Sequence, residues 1–81
     1  MPKVEIPRDI LHEMQQDGLI PEVVLGPDPF RPQAVDVSPA MKQWCMNRAA
    51  RIRKTYGTHH AAANSLDIVA QAIERALESA R

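Results

Sequence analysis

The chain has 81 residues, a formal net charge of zero, one cysteine and one each of Phe, Tyr and Trp. That length suits one small domain of marginal stability, and a lone cysteine excludes an intramolecular disulfide. No apolar run approaches the roughly 18 residues of a membrane span, and the opening Met1-Pro2-Lys3-Val4-Glu5 lacks the basic and apolar regions of a signal peptide, so a soluble chain of cytoplasmic origin without a membrane partner is expected.

All seven prolines (Pro2, Pro7, Pro21, Pro27, Pro29, Pro32 and Pro39) fall in the first 39 residues. Charge divides at nearly the same place. Residues 1–40 hold three basic groups against seven acidic ones, a net of minus four, and residues 41–81 hold seven basic against three acidic, a net of plus four. The chain is therefore read as an acidic, Pro-rich arm over residues 1–37 and a helical hairpin over residues 38–81. Complementary charge lets such an arm lie on the hairpin of its own chain or of a neighbour, giving orientation more than affinity.

In chain order, Val4 and Ile6 alternate with Lys3 and Glu5, which fits either a short edge strand or an extended tail. Pro7 suits the first position of a short helix over residues 8–17, ended by Gly18, with Ile10, Leu11 and Met14 on one face. The run 19–25 is apolar and β-branched but broken by Pro21, so it reads as an extended edge segment. Residues 26–32 carry three prolines and exclude regular helix or sheet. Phe30, the only phenylalanine, stands between prolines either as an anchor on a stiff strap, docking with little entropy loss, or as a cap folded onto the chain's own core.

Ser38-Pro39 gives an N-cap and a proline at the first helical position, and Gly57 gives a stop, so a helix spans residues 39–56. At about 100° per residue Met41, Cys45, Ala49, Ile52 and Tyr56 share a stripe, with Trp44 at its margin. Arg48 falls inside that stripe. Its charge must snorkel over Trp44, pair with a carboxylate or face a partner, with a cation–π contact to Trp44 as the sharper possibility. A second helix is expected to begin at Asn64-Ser65, with Leu66, Val69, Ala70, Ile73, Ala76, Leu77 and Ala80 forming its seam. Ile68 and Ala72 sit on another face, as a small apolar patch facing the N-terminal segment or a second subunit. Two such helices bury too little apolar surface alone, so the N-terminal half or an oligomer must complete the core.

No constellation points to catalysis. His59 and His60 are adjacent and diverge, so they fit a polar inter-helix loop better than a metal site, and Cys45 on an apolar stripe reads as a small hydrophobe and not a nucleophile. No Gly-rich phosphate loop is present, and no cofactor is expected. Arg48, Arg51, Arg53 and Lys54 cluster near Trp44 and Tyr56 and form a candidate nucleic-acid-binding set. The wheel spreads them around the helix and the net charge is zero, where groove-reading helices concentrate their contacts on one face.

The opening Met1-Pro2-Lys3-Val4-Glu5-Ile6 before a short helix, with Asn47-Arg48-Ala49-Ala50-Arg51-Ile52 leading to Gly57, resembles small head-to-tail or neck proteins of tailed bacteriophages. The resemblance covers about a quarter of the chain and implies a role in virion assembly. The residues themselves point to a mainly α fold, a C-terminal two-helix hairpin with a short N-terminal helix and a Pro-rich extended arm. They also point to a non-enzymatic structural or interaction protein that clasps neighbouring subunits, by self-association or in a larger assembly, with Phe30, Trp44, Arg48 and Arg51 as partner-binding residues. The alternative is a small nucleic-acid-binding regulator using the basic helix 42–54.

Overall fold

A computed structural model describes residues 2–21 and 31–80. The element order is β1 (Lys3–Ile6), α1 (Arg8–Gln16), β2 (Gln33–Asp36), α2 (Pro39–Tyr56) and α3 (Ala61–Ser79). The fold is mainly α, with the expected pair of C-terminal helices. The expectations for Phe30 and for most of the strap and edge segment fall outside the described residues.

β1 is a strand, which settles the choice that the sequence left open. It pairs antiparallel with β2, Val4 opposite Val35 and Glu5 opposite Ala34, and Val37 N–H extends the ladder by donating to the Pro2 carbonyl at 3.0 Å. Alternation sends Ile6, Val35 and Val37 into the core and leaves Lys3, Glu5, Ala34 and Asp36 exposed.

Pro7, expected as the first helical residue, is instead the N-cap of α1, its backbone extended at ψ 143°, and its carbonyl accepts from Leu11 N–H at 3.1 Å. The helix ends in a Schellman arrangement. Leu19 N–H donates to the Met14 carbonyl and Gly18 N–H to that of Gln15, with Gly18 at φ +80°. Ser38 caps α2 by accepting from Met41 N–H at 3.4 Å, and Gly57 closes it at φ +113°.

α3 starts three residues before the expected Asn64-Ser65. Three consecutive alanines favour helix, and the His60 imidazole supplies the cap, its Nδ1 accepting from Ala62 N–H at 3.2 Å. The extra turn buries Ala63. Tyr56, placed by its spacing on the buried stripe of α2, is instead 71% exposed. It stands in the last turn of α2, at the hairpin tip, and meets the His60 ring, centroids 5.4 Å apart. Ala80, expected at the end of the α3 seam, is likewise exposed, because it lies past the last helical residue.

One cluster forms the core. The first half of the chain supplies Ile6, Ile10, Leu11, Met14, Ile20, Val35 and Val37, and the hairpin supplies Met41, Cys45, Ala49, Ala63, Leu66, Val69, Ala70 and Ile73. The N-terminal half thus completes the core that the two helices cannot close alone. Ion pairs brace the hairpin from outside. Lys42 Nζ lies 3.1 Å from Glu74 Oε1, and Arg53 donates to Asp67, to Asn64 Oδ1 and to the Thr58 carbonyl.

Candidate functional site

The candidate residues of α2 gather where that helix meets the end of α1. The Schellman turn at Gly18 ends α1 at Asp17 and leaves its carboxylate facing α2. Trp44 Nε1 donates to Asp17 Oδ2 at 2.7 Å, and Arg48 Nη2 donates to the same oxygen at 3.0 Å. Arg48 Nη1 lies 3.9 Å from Glu13 Oε1, and its guanidinium carbon stands 4.8 Å from the Trp44 ring centroid. The Trp44 hydrogen bond, the largest effect, holds the Asp17 carboxyl below its ordinary pKa against the opposing effect of desolvation, and the charge and hydrogen bond of Arg48 lower it further.

Arg48 therefore pairs with carboxylates of its own chain and stacks on Trp44 together. The acidic first half does lie on the basic hairpin at this point. Arg51 stands beside the clasp, exposed, and lines with Asn47 a shallow cleft of about 140 Å³. Of the nucleic-acid set, Arg48 and Arg53 are held in these intramolecular contacts, while Arg51 and Lys54 are exposed. The four cations do not form one open basic face. Asp17 was not singled out in the sequence, because its partners lie 27 and 31 residues away and only tertiary packing joins them.

A second feature lies along α3. Ile68 is 67% exposed, yet it stands in a groove of about 300 Å³ walled by Pro7, Pro32, Ser65, Val69 and Ala72, with Glu5 also lining it. The groove forms where α3 crosses the start of α1 and the approach to β2, two places where proline carries no N–H and presents an apolar ring. The Ile68–Ala72 patch expected from the sequence is thus faced by the N-terminal segment and left uncovered by the described residues.

Metal or nucleophile chemistry finds no support in the remaining candidates. Burial pushes the Cys45 thiol up to about 11, far from the thiolate that a nucleophile requires. His59 is exposed and His60 is occupied as a helix cap. Among the described residues no group of three His, Cys, Asp or Glu could hold a metal ion, and no helix is long and apolar enough to cross a membrane. No family model, curated protein or solved structure matches this chain.

Proposed function

We propose that this chain is a non-enzymatic structural subunit that packs against neighbouring subunits in a larger assembly. The observation that supports the reading is Ile68, two-thirds exposed on a helix whose other large apolar residues are buried or half-buried, and seated in a proline-walled apolar groove. A contiguous apolar concavity of this kind marks a contact site more often than a solvated surface. Pro32, at the end of the Pro-rich stretch that carries Phe30 in the sequence, lines the same groove. The bacteriophage resemblance of residues 1–6 and 47–52 suggests the assembly: a virion of a tailed phage.

A photoreactive amino acid at Ser65, which lines the groove and is exposed, tests this reading. Irradiation of the full chain in the cells that express it should give a discrete protein adduct. Absence of any adduct, together with duplex-DNA binding that weakens steeply with salt, would replace this reading with the regulator.

A further inference from the structure

We infer that the groove on α3 takes the same groove of a second copy of this chain, the two α3 helices crossing antiparallel about a two-fold axis near position 70. The inference rests on the interaction-subunit reading and names its partner. At about 100° per residue Ala61, Ser65, Ile68, Ala72, Arg75 and Ser79 fall within roughly 40° of one line along α3. That line is well away from the buried stripe of Leu66, Val69, Ala70 and Ile73.

Three features make the patch self-complementary, as an isologous contact requires. Ile68 is a projecting knob, and Pro7, Pro32 and Ala72 beside it form a hole, so knob and hole occupy the same face. Small residues at Ala61, Ser65, Ala72 and Ser79 let two helices approach closely. An antiparallel pairing centred near position 70 carries Ile68 of one copy over Ala72 of the other.

Charge supports the same occupant. The pairing brings Arg75 of the second copy over Ser65, in the groove wall that also carries Glu5. Glu5 and Arg75 are both exposed, and neither has an ion pair among the described residues. The two copies of Arg75 lie ten residues apart along the seam, about 15 Å at the helical rise, beyond the Debye length of about 8 Å at physiological salt. With zero net charge, two chains meet without overall repulsion.

Sedimentation equilibrium of the full chain, from micromolar to millimolar concentration, reads this directly. The wild-type chain should approach twice its 9.1 kDa mass. Ile68→Asp should remain monomeric with an unchanged far-ultraviolet circular dichroism spectrum. Glu5→Arg and Arg75→Glu should each weaken the dimer by about tenfold, and the combined variant should recover most of the loss. A wild-type chain that stays monomeric, an Ile68→Asp variant that dimerises like wild type, or a double charge swap no better than its single parents would each overturn the pairing. A monomer that still gives a heteromeric adduct from position 65 removes the second copy and leaves the interaction reading intact. A monomer with no adduct removes both.

Discussion

Asp17 accepts from two side chains of α2 because α1 stops at that residue and Gly18 turns the backbone away. Its neutral amide, in Asp17→Asn, keeps the size of the side chain and loses the charge that faces Arg48. The melting temperature at pH 7 should fall by a few degrees. The folded carboxyl titrates below the ordinary value of about 3.9, so its stabilisation is complete above that pH and disappears as pH falls through the lowered value. Thermal melts of the two proteins should therefore converge in acid. A gap that persists once the carboxyl is protonated would show that packing of the Asp17 side chain, and not its charge, supports the clasp.

His60 is the second residue whose role depends on a lone pair. Its Nδ1 accepts from Ala62 N–H and satisfies one of the free donors at the start of α3. Loss of a cap costs about 1 kcal/mol, so His60→Ala should lower stability by about that amount, whereas His60→Asn, a favoured cap residue, should preserve it. Amide exchange in the first turn of α3 measures both outcomes.

α3 carries two apolar faces that differ in what covers them. Ile73 is fully buried at the centre of the core, and Ile68 is largely exposed. A carboxylate at Ile73 leaves a charge without a partner in the core, so Ile73→Asp should cost at least about 4 kcal/mol and unfold so small a chain. Ile68→Asp should change stability by no more than about 0.5 kcal/mol. Urea titrations of the two variants at low concentration make the comparison, and equal losses would mean that the faces of α3 are wrongly assigned.

How legible these elements were follows from how local their causes are. Ser38-Pro39 and Gly57 bound α2 within the sequence itself, and the structure keeps those bounds. The seam of α3 was legible for the same reason, through its spacing. Its start was not, because a histidine cap is an uncommon signal and Asn64-Ser65 offers a more usual one inside what is already helix. β2 was missed because a four-residue strand gives almost no alternation, and its only described partner strand lies some thirty residues earlier. The tension at Arg48 was visible on a wheel, while its release by Asp17 was not.

Prolines and charge divide the molecule near residue 38, but its core does not. Ile6, Leu11 and Met14 pack in the same cluster as Cys45, Leu66 and Ile73. Trp44 sits at the junction, joined to Asp17 of the first half while belonging to the hairpin. Its fluorescence and the helical circular dichroism should consequently give coincident urea transitions, as two-state unfolding of one small domain requires. Separate transitions would mean that the halves fold independently despite their shared core.

At the same scale, the described residues of both halves share one core and leave an apolar groove at Ile68, walled by both halves. The most direct test of that groove as a contact surface is the solution mass of the purified chain by light scattering, across concentration and at two salt levels. The mass should rise toward that of a dimer with concentration and persist with modest weakening at high salt, because an apolar seam carries the contact and the Glu5–Arg75 pairs orient it. A mass that stays at one chain under every condition would contradict the pairing of two copies through that groove.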